Sequence, residues 1–111
     1  MRELRETVDL MNSGDYKERF IAEYWQTKIR YEKLKAFNNK IEAAYRTDCE
    51  QCGDRKVEMP KHDCPADLLR EQQIRMGEYL HILEVRAEIE GIDLEEPMKK
   101  RLCAEASIKM G

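Results

Sequence analysis

A stretch of 31 residues, 16–46, contains neither glycine nor proline. Asp15 and Glu18 have the spacing of a capping box, which places the start of a helix directly after Asp15. The polar turn 12–14 separates this helix from a short amphipathic segment over 1–11. The stretch therefore predicts one long, uninterrupted helix over 16–46, preceded by a short N-terminal helix.

The apolar residues of the long helix recur at alternating steps of four and three, which is the heptad pattern of a helix-helix contact. Two members of the pattern, Thr27 and Asn38, are polar. Trp25 and Ile29 lie off the pattern, so the helix has a second apolar face. We expect one face to contact a helix of the same chain and the other a neighbouring subunit. The heptad positions are Phe20, Tyr24, Thr27, Tyr31, Leu34, Asn38, Ile41 and Tyr45.

A second long helix is predicted over 65–91. Pro65 suits the first helical position and Asp67 suits the first turn, where an acidic side chain meets the positive end of the helix dipole. Gly91 has the character of a residue that ends a helix. The two long helices therefore form a long antiparallel helical hairpin in this prediction.

The connection 47–64 is polar and long for a link between antiparallel helices, so something should tether it. A last amphipathic helix is predicted over 95–110. The sequence thus predicts an all-α fold in a single domain, 1–111, with short N- and C-terminal helices flanking the hairpin.

Composition limits what this domain can do alone. Charged residues make up 39% of a chain of 111 residues, so a single copy has little apolar surface for a core, and an oligomeric helical bundle is expected. The net charge of −3 gives no sign of binding to DNA or to an anionic membrane. No apolar run approaches the ~20 residues of a membrane span, and no signal peptide is recognisable. We expect a cytoplasmic protein.

Four residues in the long connection have the chemistry of metal ligands. Cys49 and Cys52 form a Cys-x-x-Cys pair, and His62 and Cys64 follow as His-x-Cys. Together they can hold one Zn²⁺, which would also tether the connection. In the alternative interpretation, Cys49 and Cys52 are ordinary loop thiols and Cys64 caps the second helix. We expect that no cofactor is required, and zinc is a candidate ligand of these four residues.

Tyr24, Lys28, Tyr31 and Lys35 share one helix face at steps of four, three and four. Interleaved rings and ammonium groups are what a nucleotide needs, because the rings stack on a base and the cations bind phosphate. In the alternative interpretation, the tyrosines belong to the heptad contact and the lysine stems lie along its edge.

Arg86 lies near the apolar face of the second helix, at heptad steps beyond Tyr79 and Leu83. A guanidinium in that place must be paired within the protein or must meet a ligand phosphate. The internal alternative is a pair with a glutamate such as Glu23 or Glu42.

Two stretches resemble a known group of proteins. One runs from Asp15-Tyr-Lys-Glu-Arg-Phe through Tyr24-Trp-Gln-Thr-Lys-Ile-Arg-Tyr-Glu-Lys-Leu to Ile41-Glu-Ala-Ala. The other includes His62-Asp-Cys-Pro-Ala-Asp-Leu-Leu and ends on Arg86-Ala-Glu-Ile-Glu-Gly-Ile. Over roughly 15–94 the chain resembles short phage and prophage proteins related to a small protein of crAss-like phages.

Small helical phage proteins of this build include sponges that capture the cyclic nucleotide signals of bacterial defence systems such as CBASS and Thoeris. They bind the signal at subunit interfaces of an oligomer and do not cleave it. The resemblance implies a homo-oligomer in the cytoplasm of an infected bacterium, with a cyclic nucleotide as its partner. The ligand-binding residues it suggests are Tyr24, Lys28, Tyr31 and Lys35, with Arg75 or Arg86 from the other helix.

The sequence contains no glycine-rich phosphate loop and no recognisable catalytic triad, and its carboxylates are scattered over predicted helix faces. We therefore expect no enzymatic activity. The leading hypothesis is a nucleotide sponge that inhibits host immunity. The alternatives are a protein-binding adaptor, which zinc would tether, and a structural coiled-coil component of a phage particle.

Overall fold

The computed structural model describes residues 3–95, so the tail helix predicted over 95–110 lies, beyond Glu95, outside the described residues. Within that range the chain forms helices, turns and bends and no β-strand, which confirms the all-α prediction. The elements in chain order are a 3₁₀ helix at Leu4–Thr7, α1 at Val8–Met11, α2 at Tyr16–Arg46, a second 3₁₀ helix at Glu50–Arg55 and α3 at Ala66–Glu90. No helix in the described range is long and apolar enough to cross a membrane.

The start of α2 is capped by Asp15, as the sequence predicts, but with a different partner. The Oδ1 of Asp15 accepts a hydrogen bond from the backbone N–H of Lys17 at 3.0 Å. The backbone N–H of Asp15 donates to the Oγ of Ser13, also at 3.0 Å, and so does not need the Glu18 carboxylate of a capping box. The second half of the predicted capping box was therefore wrong.

The end of α3 follows from Gly91, whose φ of 69° lies in the left-handed region that glycine adopts without strain. This conformation turns the chain so that the N–H of Ile92 donates to the carbonyl oxygen of Ala87 at 2.8 Å. A bond across this span is that of a Schellman motif, which normally brings an apolar contact with it. Ile92 is accordingly buried.

The chain divides into two compact units. Among the described residues, we call 3–29 with 80–95 the terminal unit and 30–79 the central unit. The terminal unit contains most of the buried apolar side chains, which come from the first half of α2, the second half of α3 and the segment after it. They are Phe20, Ile21, Ala22, Tyr24, Trp25, Ile29, Leu80, Leu83, Ala87 and Ile92.

Of the described apolar side chains of the central unit, only those of Ile41 and Ala44 are buried. Its other helix contacts are polar or involve half-buried residues. The Tyr31 ring lies beside Gly77, where an added methyl group would come within 3.4 Å of Cε2. The central unit therefore has a thin core.

The heptad pattern of α2 predicts the burial of its members only in part. Phe20, Tyr24 and Ile41 are buried, and the middle positions are half-buried. Tyr45, the last position, is 63% exposed, so its predicted place in a helix-helix contact was wrong within this chain. The reason is local: α2 ends one residue later, at Arg46.

Candidate functional site

The predicted aromatic-basic stripe lies on α2, with Tyr24 and Lys28 in the terminal unit and Tyr31 and Lys35 in the central unit. Tyr24 is buried, its hydroxyl donates to the Oε1 of Glu84 at 3.0 Å, and its ring meets Trp25 edge-on. Lys28 and Tyr31 are half-buried, and Lys35 is exposed. The burial of Tyr24 agrees with the structural interpretation of that residue, whereas Lys35 is open to a ligand.

Arg86 connects α3 to the start of α2 within the terminal unit. Its guanidinium donates to the hydroxyl of Tyr16 at 2.6 Å and to the Oε2 of Glu90 at 3.3 Å. It also lies 5.1 Å from the centre of the Phe20 ring, in a cation-π contact. The sequence analysis correctly expected that Arg86 pairs with a glutamate of the same chain. That glutamate is Glu90, one helical turn away, and not Glu23 or Glu42.

Arg75, the other arginine proposed on α3, is exposed in the central unit. Its guanidinium lies 3.5 Å from Glu78 and 4.0 Å from Glu71, both on the same helix. Exposed pairs of this kind are worth little, typically about 0.3–0.5 kcal/mol. Arg75 can therefore exchange these partners for a stronger anion at small cost.

A polar contact joins α2 and α3 in the central unit at Asn38, one of the two polar members of the heptad pattern. Its Nδ2 donates to the carbonyl oxygen of Leu69 at 3.1 Å and to the Oε1 of Gln73 at 2.9 Å. Its Oδ1 is buried and has no hydrogen-bond partner among the described residues. A buried acceptor without a partner typically costs about 1–3 kcal/mol, which offsets part of what the two Nδ2 hydrogen bonds contribute.

The four predicted zinc ligands all lie in the central unit. The Nδ1 of His62 donates to the carbonyl oxygen of Cys64 at 2.7 Å, and the His62 ring packs edge-on against Phe37. A hydrogen bond with the sulfur of Cys49 raises the pKa of Cys52. Within residues 3–95, no three or more His, Cys, Asp or Glu side chains are grouped so as to hold a metal ion. Zinc binding by Cys49, Cys52, His62 and Cys64 stays a prediction.

The tether that the long connection needs is Thr47, which the sequence analysis did not single out. Its hydroxyl donates to the carbonyl oxygen of Ala43 at 2.7 Å and accepts from the backbone N–H of Val57 at 2.8 Å. The Nζ of Lys56 lies 3.2 Å from the Oδ1 of Asp48 in the same turn. These bonds hold the chain after the second 3₁₀ helix against the end of α2.

Two open grooves meet at Tyr45 in the central unit. One, of about 430 Å³, is lined by residues of α2 and the first turns of α3. The other, of about 440 Å³, is lined by the end of α2 and the segment 56–59. Tyr45 lines both, and sequence reasoning missed it because the heptad pattern assigned it to a helix contact. The signal that identifies it is its position at the last turn of α2, where no further helical residue covers the ring.

Glu42 is held between two arginines in the first of these grooves. Its Oε1 lies 2.5 Å from the Nη2 of Arg70, and its Oε2 lies 3.5 Å from the Nε of Arg46. The hydrogen bond from Arg70, assisted by the charge of Arg46, lowers the pKa of Glu42 from its ordinary value of 4.5. The carboxylate is therefore ionised at neutral pH and pairs with both guanidinium groups.

The sequence matches the family model of Sequestin over residues 14–89, which is more than half of the chain, and the chain belongs to the Sequestin family. The match includes all of α2 and all of α3 except its last residue. No curated protein and no solved structure matches the chain.

Proposed function

We propose that this member of the Sequestin family is a phage-encoded, non-enzymatic inhibitor of bacterial immunity that captures a cyclic nucleotide signal. Family membership over residues 14–89 is the observation that carries the proposal, because the name of the family denotes sequestration. A sequestering protein lowers the free concentration of a signal by binding it and leaves its covalent bonds intact. Its place of action is the cytoplasm of the infected bacterium.

The proposed ligand contacts combine cations with aromatic rings. Lys and Arg neutralise the phosphates through charge-assisted hydrogen bonds, and Tyr stacks on a base. Arg86 can exchange Glu90 for a phosphate, because their contact of 3.3 Å is long for an ion pair and lies at the surface. The residues proposed for this role are Tyr24, Lys28, Tyr31, Lys35, Arg75 and Arg86.

We propose that α2 and α3 form an antiparallel hairpin. In the central unit, Tyr31 lies beside Gly77 and Glu42 pairs with Arg70. A residue later in α2 thus contacts a residue earlier in α3, as in an antiparallel pair. The contacts of the terminal unit follow the same order. This arrangement presents the remaining faces of both helices to other molecules.

We propose that the functional form is a homo-oligomer with ligand sites at the subunit interfaces. Ile82, Val85 and Ile89 recur on α3 at steps of three and four and are 53%, 43% and 78% exposed. Full burial of such a side chain contributes up to about 1.5–3 kcal/mol, so a second copy packed on this row would gain substantially. The thin core of the central unit supports the same conclusion.

The row of Ile82, Val85 and Ile89 also favours a second candidate function, a helical adaptor that binds a host protein through its apolar face. The two functions differ in ligand. An adaptor co-purifies with a host protein and ignores nucleotides, whereas a sponge is stabilised by one nucleotide signal.

A thermal-shift panel tests the proposed function. The purified chain is melted with cyclic di- and trinucleotides and with cyclic ADP-ribose isomers. A ligand at a hundred times its Kd should add about 2.7 kcal/mol of stability. A panel without any shift, from protein shown to be folded and oligomeric, would refute capture of these signals and favour the adaptor.

Two exposed lysines of α2 make a matched pair for the proposed site. Lys35 belongs to the stripe, and Lys40 lies outside it on the same helix. Hydrogen bonds to charged groups are worth about 1.5–3 kcal/mol, so Lys35→Ala should weaken the stabilising ligand by roughly tenfold or more. Lys40→Ala should leave its affinity unchanged. Equal affinities in the two variants would remove Lys35 from the site.

A further inference from the structure

Tyr45 has three properties that suit a residue in contact with a small molecule. It is aromatic, it is 63% exposed, and it lines two grooves of about 430 and 440 Å³. Grooves of this size fall within the range of small-molecule sites. The ring is thus open to a planar ligand of that size.

The groove that Tyr45 shares with the start of α3 has an apolar residue, Ile41, and paired charges of both signs. Arg46 and Arg70 bring two positive charges, and Glu42 and Asp67 bring two negative ones. The lining is therefore neutral overall, which does not favour an isolated phosphate. It favours a group that offers both hydrogen-bond donors and acceptors.

The polar side chains of this groove already have partners. The Oε1 of Glu42 lies 2.5 Å from the Nη2 of Arg70, and its Oε2 makes a looser contact of 3.5 Å with the Nε of Arg46. The Oδ1 of Asp67 accepts from the backbone N–H of Leu68 at 2.9 Å, which fixes its carboxylate beside the first turn of α3. Side chains that are fixed before binding lose little conformational entropy when a ligand arrives.

A purine base matches these features. Guanine presents N–H donors, which carboxylates accept, and O6 and N7 acceptors, which a guanidinium binds in a bidentate manner. Its flat face stacks on an aromatic ring.

We propose that the groove between Tyr45 and Arg70 is a nucleobase subsite, in which a purine stacks on Tyr45 and its polar edge meets the Arg46–Glu42–Arg70 cluster. The inference rests on the proposed function in taking a nucleotide as the ligand, and it stacks the base on Tyr45, which is not a member of the aromatic-basic stripe. The subsite lies entirely within the central unit.

Nuclear magnetic resonance of the full chain tests the subsite with simple nucleotides. Guanosine 5′-monophosphate should shift the amide resonances of residues 41–46 and 66–70, and ribose 5-phosphate, which lacks the base, should not. Tyr45→Phe keeps the ring and should keep the binding. Tyr45→Leu keeps an apolar side chain and should weaken binding by roughly tenfold or more. Both variants should fold, because the side chain is exposed, and a melt monitored by circular dichroism verifies it.

The inference is overturned if these amides do not move, if ribose 5-phosphate moves them equally, or if Tyr45→Leu binds as tightly as the unchanged chain. The thermal-shift panel separates this failure from that of the proposed function. A cyclic nucleotide that stabilises the unchanged chain and Tyr45→Leu equally would overturn the subsite and leave the sponge. Guanosine 5′-monophosphate bound at the groove, with no response to any cyclic nucleotide, would support the subsite and overturn the sponge.

Discussion

Replacement of Thr47 by valine should loosen the connection between the two long helices. Valine has nearly the same shape, so the change removes the hydroxyl and little else. The carbonyl oxygen of Ala43 keeps a partner, because the backbone N–H of residue 47 also donates to it at 3.0 Å. The N–H of Val57 loses its acceptor, which lay at 2.8 Å, and this residue is only half-buried, so water can replace part of the bond.

The expected loss of stability in Thr47→Val follows from the hydrogen bonds that are kept and lost. One net hydrogen bond is worth about 0.5–1.5 kcal/mol, and a partly desolvated N–H adds to it, so the free energy of unfolding should fall by about 1–2 kcal/mol. Urea unfolding measures this value, and hydrogen exchange at the Val57 amide reports the local opening. Thr27→Val, at a half-buried threonine within α2, is the control for the change in side chain.

A loss below about 0.3 kcal/mol, with unchanged exchange at Val57, would show that Thr47 does not tether the connection. With that result, the predicted zinc ligands would be the remaining candidates for the tether. The Thr47 experiment therefore also decides which of the two accounts explains the ordered loop.

Three further changes have defined outcomes. Leu83 is fully buried, so Leu83→Ala should cost about 2–5 kcal/mol in a urea melt, whereas Leu68→Ala, at a side chain that is 53% exposed, should cost about 0.5 kcal/mol or less. Because Arg70 lowers the pKa of Glu42, the stability that this pair adds should be complete above pH about 4.5 and should vanish as the pH falls through the lowered pKa. The difference in urea midpoint between the unchanged chain and Glu42→Gln should therefore narrow as the pH falls. A difference that stays constant would contradict this prediction. A zinc chelator should leave the helix content unchanged by circular dichroism, since Thr47 gives the connection a tether that involves no metal, and a loss of helix would show that the metal is structural.

The long helices could be predicted from the sequence because their determinants are local. The absence of glycine and proline predicts a helix over 16–46, and the structure has α2 at Tyr16–Arg46. Asp15 and Gly91 mark helix ends through their own backbone and side-chain chemistry, which the structure reproduces. Propensity, capping and chain-reversal signals act within a few residues of each other, so a single sequence reveals them.

The candidate site was harder to predict because its contacts join distant parts of the chain. The sequence suggested Glu23 or Glu42 for Arg86, but Glu42 pairs with Arg70 and Arg86 with Glu90. Carboxylates are abundant in this chain, and a periodic pattern does not choose among them. The Glu42–Arg70 pair depends on the exact register of α2 against α3, to which the heptad pattern is insensitive, whereas Arg86 and Glu90 are one turn apart on α3.

Tyr45 shows a second limit of the heptad pattern as a predictor of helix contacts. The pattern counts residues along α2 and takes no account of where the partner helix begins. The open groove beside Tyr45 depends on the position of Ala66 and Arg70 in the first turns of α3, and hence on the path of the connection. That path is fixed by Thr47 and Val57, which are ten residues apart in a segment without periodicity.

Sequestration without cleavage is the central claim, and one measurement tests it directly. A cyclic nucleotide that stabilises the protein is mixed with a molar excess of the purified chain, and the mixture is passed through a filter that retains protein. The nucleotide is then quantified by chromatography in the filtrate and in the retained fraction after heat denaturation. The account predicts a filtrate depleted of the signal and full recovery of the unaltered cyclic nucleotide after denaturation. A signal that passes the filter would contradict capture, and recovery of a linear or hydrolysed product would show that the protein is an enzyme.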